Sequence, residues 1–394
     1  LLHQDSVQLE QDIYVKHYNT FLQRLVNYLG KRDPKQHALN IDFEGVFDGN
    51  GYTIHNIPGQ FFNTITEDGV FKNITLKSSS NLSKSVVCRK NNGRIQNVTV
   101  ESTFKSRSGI GGITRKNNGE IQNCTIKGDF IGDLDAPSSY KPMELGGITS
   151  INNGDIKNCT SLAQFSGSLK TIGGISGDNY GLIQDCLYRG GYIDCIAELG
   201  GISGKNRGSI KNCTTEDTEI KGNMSFGYST GGIVGDALPD STIIRCTVTG
   251  SKMNCKDTVG GIVGDNSCRI EDSTVSSDTF IEGESIVGGL IGVTASASEI
   301  QNTISNATVN AKRSYGDVGG VVSNTTIDSV LATSSTEKES YYIGRLGQDV
   351  EFTNCYYSTE SNEIIHKNPD KYTTAGVHTV TDMSDSKLLT LLQV

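Results

Sequence analysis

A short pattern of apolar and polar positions repeats through most of the chain. A glycine pair followed by an aliphatic residue recurs at intervals of 27 to 35 residues. The pairs are Gly111-Gly112, Gly146-Gly147, Gly173-Gly174, Gly200-Gly201, Gly231-Gly232, Gly260-Gly261, Gly288-Gly289 and Gly319-Gly320. A second phrase follows most pairs and reads apolar, polar, Asn, Cys or a substitute, and often Thr, as in Ile121–Thr125. About ten such units cover most of residues 60–357, and a fixed period of this length is typical of repeat architectures.

The spacing inside the second phrase predicts a bend and then a strand. Apolar residues stand two positions before the Asn, one after it and three after it. The odd step across the Asn indicates a bend, and the alternation beyond it is that of a strand. We therefore expect the isoleucines before the bend to face inward and the threonines to face outward. We expect the asparagines to stack at a corner with their amides bonded from coil to coil. They are Asn73, Asn97, Asn123, Asn158, Asn212, Asn302 and Asn354.

Short apolar phrases separated by Asn-Gly turns, with no helical period, predict β structure. A unit of this length suits one coil of a parallel β-helix, in which like positions stack. The fold class predicted is all-β, a right-handed parallel β-helix (β-solenoid) of about ten coils with an N-terminal capping helix. We expect residues 1–42 to form a strand and the capping helix, the latter over Lys16–Lys31, residues 43–357 the solenoid, and residues 358–394 a C-terminal cap.

Composition and charge narrow the classes of function. The 394 residues include 46 Gly, 6 Pro and no Trp, with 35% hydrophobic residues, which argues against an ordinary α/β enzyme. Few prolines suit continuous strand ladders, because proline lacks the N–H that a ladder needs. A net charge of −9 and the lack of a basic run argue against nucleic acid as a partner. No apolar run reaches the roughly 20 residues of a membrane span. We expect no membrane insertion, and the oligomeric state stays open.

Three stretches of the sequence carry a resemblance to a known family. The segment Phe43–Ile54 (FEGVFDGNGYTI) resembles the opening motif of GLUG-repeat proteins, and Gly231–Gly235, Gly260–Gly264 and Gly288–Gly292 resemble the repeat itself. The Cys355-Tyr356-Tyr357 ending is similar to the family's last repeat. The resemblance implies a β-solenoid. It also implies a bacterial surface or secreted protein with a role in adhesion, and hence an extracellular or cell-surface location.

Six of the ten cysteines share one position of the repeat, which predicts a buried ladder of small thiols. They are Cys124, Cys159, Cys186, Cys213, Cys246 and Cys355. The pair Cys195 and Cys255 stands two coils apart, too far for a disulfide. No Cys-x-x-Cys pair is present, so we expect no metal site, and nothing in the sequence requires a cofactor.

Several Asn-x-Ser/Thr sequons arise from the repeat phrase itself, because Asn is used at the corner and Thr on the outer face. Two sequons lie outside that phrase, at Asn81 and Asn223, and these are the preferred candidates for glycosylation.

Candidate catalytic groups are few. Neither His-Glu-x-x-His nor Gly-x-Ser-x-Gly occurs in the sequence. The aspartates Asp185 and Asp272 stand at the Asn corner, several coils apart, and look like isolated replacements of Asn. We therefore assign no catalytic residue. A carbohydrate-active β-helix would need a cleft that holds two carboxylates within about 5–10 Å of each other.

Insertions in a solenoid form loops on one face, and these are the expected recognition sites. The candidates come from two insertions: Asp133, Asp135, Tyr140 and Lys141 in the first, and Met224, Phe226 and Tyr228 in the second. The function expected is non-enzymatic adhesion to a glycan or protein surface. A carbohydrate-active lyase or hydrolase, and a structural rod in a larger assembly, are the alternatives.

Overall fold

The structure is a computed structural model, and its residues fall into two compact units, Leu1–Leu187 and Tyr188–Val394. It describes residues 6–14, 42–106, 108–132, 144–167, 171–196, 198–223, 228–284, 286–294 and 298–311, and the backbone of short strands between 317 and 379. Both units are all-β parallel β-solenoids, together about nine turns. The described residues include no helix, and so none with the length and apolarity needed to cross a membrane. The expected capping helix Lys16–Lys31 and the end of the expected C-terminal cap lie outside the described residues.

Each complete coil contributes strands to three parallel sheets, which we number in the order in which the chain passes through a coil. The first sheet ends at the glycine pair, the second follows it, and the third contains the repeat phrase. In the first unit, the first-sheet strands are Ile110–Gly111, Glu144–Gly146 and Thr171–Gly173. The second-sheet strands are Asp42–Phe43, Phe62–Ile65, Cys88–Asn91, Thr114–Asn117, Thr149–Asn152 and Ser176–Asn179. The third-sheet strands are Ser6–Gln8, Ile13–Tyr14, Val46–Asp48, Thr53–His55, Val70–Lys77, Arg94–Glu101, Phe104–Ser106, Glu120–Gln122, Thr125–Gly132, Asp155–Lys157, Thr160–Gly167 and Leu182–Gln184.

The second unit repeats this order. Its first-sheet strands are Glu198–Gly200, Ser229–Gly231, Thr258–Gly260, Ile286–Gly288, Asp317–Val321, Tyr341–Arg345 and Glu363–His366. Its second-sheet strands are Ser203–Asn206, Val234–Ala237, Val263–Asn266 and Ile291–Thr294. Its third-sheet strands are Leu187–Arg189, Tyr192–Cys195, Ser209–Lys211, Thr214–Glu216, Glu219–Gly222, Thr242–Ile244, Thr247–Thr249, Lys252–Cys255, Arg269–Glu271, Thr274–Val275, Phe280–Gly283, Ser298–Gln301, Ile304–Ser305, Thr308–Ala311, Thr325–Asp328, Leu331–Ala332, Ser335–Thr336, Glu351–Thr353, Cys355–Tyr357 and Val377–Thr379.

The core of each unit consists of like residues stacked in register. Ile121 pairs with Ile156 in the next coil, both are fully buried, and the predicted inward isoleucines are confirmed. Aromatic rings stack in the same way, since the centroid of Phe130 lies 4.5 Å from that of Phe104 and 4.9 Å from that of Phe165. Burying apolar surface in this way supplies the main favourable term in folding. The threonines of the repeat phrase are half-exposed on the outer face.

The predicted bend is present, and the asparagine of the repeat phrase forms it by adopting the left-handed backbone conformation. Asn97, Asn123 and Asn158 have φ values of 54°, 54° and 51°. Asn is the non-glycine residue that enters this region most readily. The predicted coil-to-coil amide bonds are present, for the Nδ2 of Asn97 donates to the Oδ1 of Asn73 at 2.8 Å, and that of Asn123 to the Oδ1 of Asn97 at 3.1 Å. Asn354 lies outside the described residues.

The cysteine that follows the bend is buried. Its Sγ also bonds to two backbone groups at the bend, a carbonyl of its own coil and an N–H of the preceding coil. The Sγ of Cys159 donates to the carbonyl of Lys157 at 3.2 Å and accepts from the N–H of Cys124 at 3.5 Å. In the second unit Ser273 takes this position and makes the same two kinds of bond, to the carbonyl of Glu271 at 2.8 Å and from the N–H of Cys246 at 3.1 Å. The position therefore requires a small donor–acceptor side chain.

The nine cysteines with described side chains are all buried and all free. They include Cys124, Cys159, Cys186, Cys213 and Cys246 of the predicted ladder, whereas the side chain of Cys355 lies outside the described part. Burial raises the pKa of Cys88 to about 12, and that of Cys159 well above its usual value. Because the thiolate is the reactive form, the thiols of Cys88 and Cys159 are inert at neutral pH.

A second column of asparagines, at the end of the second-sheet strands, is fully buried. The Nδ2 of Asn91 donates to the Oδ1 of Asn117, that of Asn117 to Asn152, and that of Asn152 to Asn179, each at 2.8 Å. The same Nδ2 groups also bond to carbonyls of the turn, as at 3.0 Å from Asn152 to Gly154. In the sequence each of these asparagines begins an Asn-x-Gly turn phrase, and the ladder was not predicted.

The glycine pairs are required by the close approach of one coil to the next. A Cβ on Gly147 would collide with the carbonyl oxygen of Gly174 in the following coil and with the Oγ of Ser161. The N–H of Gly147 donates to that same carbonyl at 3.1 Å. Any side chain at this corner would push the two coils apart.

We expect Asn152→Ala to lower the free energy of unfolding by about 2–4 kcal/mol, since it leaves the neighbouring buried amides of Asn117 and Asn179 with unmade bonds. The control is Asn153→Ala, one residue along. Asn153 is exposed, and its Nδ2 donates to the Oδ1 of Asn118 at 2.9 Å on the surface, so the loss of unfolding free energy is expected to stay below about 1 kcal/mol. Denaturant unfolding followed by circular dichroism measures both. Equal losses from the two variants would contradict a structural role for the buried ladder.

Candidate functional site

The predicted recognition loops are only partly described. Asp133, Asp135, Tyr140 and Lys141 lie outside the described residues, as do Met224 and Phe226. Tyr228 is described, half-buried, directly before the strand Ser229–Gly231. The two preferred sequon asparagines, Asn81 and Asn223, are exposed, and the Nδ2 of Asn223 donates to the Oδ1 of Asp194. Their glycosylation stays a prediction.

A surface column of the third sheet in the first unit carries the clearest candidate site. The register pairs Tyr14 with His55, and it pairs Glu101 with both Lys77 and Lys127. The rings of Tyr14 and His55 are stacked, with centroids 4.2 Å apart and planes 1° apart. Tyr14 remains 62% exposed, so the outer face of its ring is open to solvent.

The charged half of this column forms a chain of ion pairs. The Nζ of Lys77 lies 2.9 Å from the Oε2 of Glu101, and the Nζ of Lys127 lies 3.5 Å from its Oε1. The hydrogen bond from Lys77 lowers the pKa of Glu101 against the opposing effect of partial burial, and the charge of Lys127 adds to this. Glu101 is therefore ionised at neutral pH, held between two cations.

A polar groove of about 500 Å³ runs beside the column and is lined by residues that include His55, Asn56, Ser78, Thr103 and Lys127. Its hydroxyls are positioned by the backbone, as in the bond from the Oγ of Ser78 to the carbonyl of Ile57 at 2.6 Å. Gly128 also lines the groove, with φ at 138°, and a Cβ there would collide with the carbonyl oxygen of Ser102. The groove thus places fixed hydrogen-bonding groups beside His55, on which the exposed ring of Tyr14 is stacked, and its volume lies in the range of ligand sites.

The aspartates predicted to replace Asn at the corner do so. Asp185 and Asp272 have φ values of 52° and 49°, and the Oδ1 of Asp272 accepts from the Nδ2 of Asn302 at 3.2 Å. They act as bend residues, as expected from the sequence.

A different pair of carboxylates, on the second sheet of the second unit, was not anticipated. Asp236 pairs in register with Lys205 on one side and Asp265 on the other. The Nζ of Lys205 lies 3.4 Å from Asp236 and 3.2 Å from Glu198. Burial alone would lower the pKa of Lys205, but these two carboxylates outweigh it and raise the pKa.

Asp265 has no such cation among the described residues. Burial, and after it the charge of Asp236, raises the pKa of its carboxyl. The two carboxylates therefore differ in their surroundings, since Asp236 forms an ion pair with Lys205, whereas burial biases Asp265 toward its protonated form. The described residues bring no three or more His, Cys, Asp and Glu side chains together as a metal site.

Comparison with known proteins adds little to this geometry. No protein-family model matches the chain, and no curated protein matches it. Among solved structures, the chain is similar to a crystal structure from Bacteroides ovatus, provisionally named an immunoglobulin A1 protease, with 20% identity over 69% of each chain and a TM-score of 0.32. A likeness at this score carries no argument, so the fold and the site rest on the chain's own geometry.

The raised pKa of Asp265 makes stability depend on pH. The unfolded chain ionises this carboxyl first, near its usual pKa of about 3.9, so the wild type loses stability as pH rises from there toward the higher folded pKa. Asp265→Asn lacks this loss. We expect the difference in melting temperature, variant minus wild type, to be about 1–3 °C larger at pH 7 than at about pH 3.5. Differential scanning calorimetry at the two pH values measures this, and an offset that is the same at both would contradict the assignment.

Proposed function

We propose that this protein is a non-enzymatic binding solenoid that holds a glycan in the third-sheet groove of its first unit. The observation that carries this proposal is the exposed ring of Tyr14, stacked on His55, which itself lines a groove of hydroxyl, amide and charged groups.

The chemistry of the groove suits a sugar better than an apolar ligand. One face of a sugar ring presents C–H groups, which pack on an aromatic face with dispersion and hydrophobic contributions. The ring's hydroxyls need donors and acceptors at its edge, and Ser78, Thr103 and Asn56 supply both. The stack on His55 holds the tyrosine ring in place, so less conformational entropy is lost on binding.

A surface-exposed or secreted, adhesive role is part of the proposal. The resemblance of Phe43–Ile54 and of the glycine-pair phrases to GLUG-repeat proteins supports it, as does the repeat architecture, which displays long outer faces. An extracellular or cell-surface location follows from the same resemblance.

We expect Tyr14→Ala to weaken glycan binding at least tenfold, equivalent to about 1.4 kcal/mol, because it removes the stacking face. Tyr14→Phe keeps that face and is expected to bind within about twofold of wild type. A glycan array identifies the sugar, and isothermal titration calorimetry with that sugar measures the affinities.

The matched control for this experiment is Tyr180→Ala. Tyr180 is the other exposed large aromatic residue among the described residues, 49% exposed in the same unit, and it follows the second-sheet strand Ser176–Asn179 rather than lying in the third sheet. Its removal is expected to leave binding unchanged. If no glycan is retained, or if the two alanine variants bind equally well, the groove is not the binding site.

The pair Asp236 and Asp265 favours a second candidate, a carbohydrate-active hydrolase. They lie on adjacent strands, whose backbones are about 4.8 Å apart. Asp236 forms an ion pair with Lys205, whereas burial raises the pKa of Asp265. This is the kind of pair that retaining glycosidases use, one carboxylate as nucleophile and the other as acid.

This alternative predicts released reducing ends when the protein is incubated with a panel of polysaccharides. Asp236→Asn and Asp265→Asn should each reduce the rate by about 100-fold or more, while Asp155→Asn, a half-exposed aspartate paired with Lys157 in the first unit, should not. Absence of product from wild-type protein on every substrate would remove the hydrolase candidate.

A further inference from the structure

A second cleft in the first unit lies at the second sheet, away from the residues that line the glycan groove. Its volume is about 250 Å³. Three cationic side chains, Lys84, Arg89 and Arg115, line it together with polar groups such as Gln60, Asn63 and Ser83. In a chain with a net charge of −9, such a concentration of positive charge is unusual.

The strand register brings cationic residues of successive coils next to each other. The register pairs Cys88 with Thr114 and Lys90 with Lys116, which places Arg89 beside Arg115 on neighbouring strands. Adjacent strands are about 4.8 Å apart, and like charges that face each other across strands destabilise a sheet. Two successive positions of the sheet therefore carry this repulsion.

No carboxylate among the described residues pairs with these cations. The Nε of Arg89 donates to the Oδ1 of Asn63 at 2.8 Å, and no other partner of its guanidinium is found in the described part of the chain. Among other exposed arginines, Arg189 bonds to Glu216 and Arg269 to Glu271, whereas Arg245 bonds to the amide oxygen of Asn212. The arginines of the cleft are distinguished by lying side by side on neighbouring strands with no counter-charge among the described residues.

Two carboxylates lie near the margins of the cleft. Asp42 accepts from the Nδ2 of Asn63 at 3.1 Å. The Oε2 of Glu144 lies 3.3 Å from the place that a Cβ on Gly109 would occupy. The described residues show no ion pair between either carboxylate and Arg89 or Arg115, so the two arginines remain the main charges that line the cleft.

We propose that this cleft binds the acidic group, carboxylate or sulfate, of a charged saccharide. Arginine side chains match the planar or tetrahedral oxygens of such groups and bind them with paired, charge-assisted hydrogen bonds. Polar side chains, Gln60, Asn63 and Ser83 among them, line the cleft around the arginines, as suits a site for a hydroxyl-rich ligand. An anion between Arg89 and Arg115 would also relieve their mutual repulsion. This site is separate from the groove beside Tyr14 and does not depend on it.

The test compares four probes by isothermal titration calorimetry on the whole chain: a heparin-derived tetrasaccharide, tetragalacturonate, the neutral cellotetraose and inorganic sulfate. We expect at least one of the two acidic tetrasaccharides to bind, at least tenfold more tightly than cellotetraose and than inorganic sulfate. Raising the ionic strength from about 20 mM to 300 mM should weaken this binding several-fold, because exposed charges are screened.

Arg89→Gln and Arg115→Gln should each reduce affinity for the acidic probe at least tenfold. Arg269→Gln, a matched exposed arginine of the second unit, should leave it unchanged, and so should Tyr14→Ala, which separates this site from the glycan groove. Melting temperatures confirm that each variant is folded. The proposal is overturned if sulfate binds as tightly as the acidic tetrasaccharides, if neither of these binds more tightly than cellotetraose, or if Arg115→Gln behaves like Arg269→Gln.

Discussion

Hydrogen bonding of every coil to the next is the constraint on which the rest of this structure depends. The parallel ladders place each residue about 4.8 Å from its counterpart in the following coil, so a side chain must be compatible with a copy of itself. Phenylalanine satisfies this by ring stacking, as in Phe104, Phe130 and Phe165. Asparagine satisfies it because an amide is both donor and acceptor, and glycine satisfies it where the backbones come closest.

Positions where the stacked residues are unlike, or repel each other, are candidates for function rather than for stabilising the fold. Tyr14 stacks on His55 at an exposed position, and Arg89 lies beside Arg115. Neither pair belongs to the repeated pattern of the coils. Both features lie on outer faces of the first unit, where the core does not dictate the residue. The repeat thus provides a regular background against which candidate binding groups can be recognised.

The sequence was sufficient to predict the elements that follow a fixed period. The inward isoleucines, the bend at Asn123 and the buried cysteine after it all come from the spacing within one phrase. The buried ladder was missed because Asn152 and Asn153 are adjacent and alike in sequence, although one is buried and the other exposed. Only the geometry of the turn distinguishes them.

The candidate site was missed for a different reason. The groove draws His55, Lys77, Glu101 and Lys127 from four successive coils, and no short motif joins residues so far apart in the chain. The spacing between Asp236 and Asp265 is simply that of the repeat, so it gave no sign of a functional pair. The recognition loops predicted from insertions lie largely outside the described residues and stay predictions.

The buried asparagine ladder has a direction. Each amide donates toward the coil that follows, so the amide dipoles are aligned head to tail, and the two ends of the ladder differ chemically. At its start the Oδ1 of Asn91 has no partner among the described residues, because Ile65 holds the corresponding position in the preceding coil. A coil duplicated within the ladder keeps every donor matched to an acceptor. Coils can therefore be duplicated or deleted within the ladder during evolution without leaving an amide unpaired. The unpaired Oδ1 of Asn91 marks the first coil to which this applies.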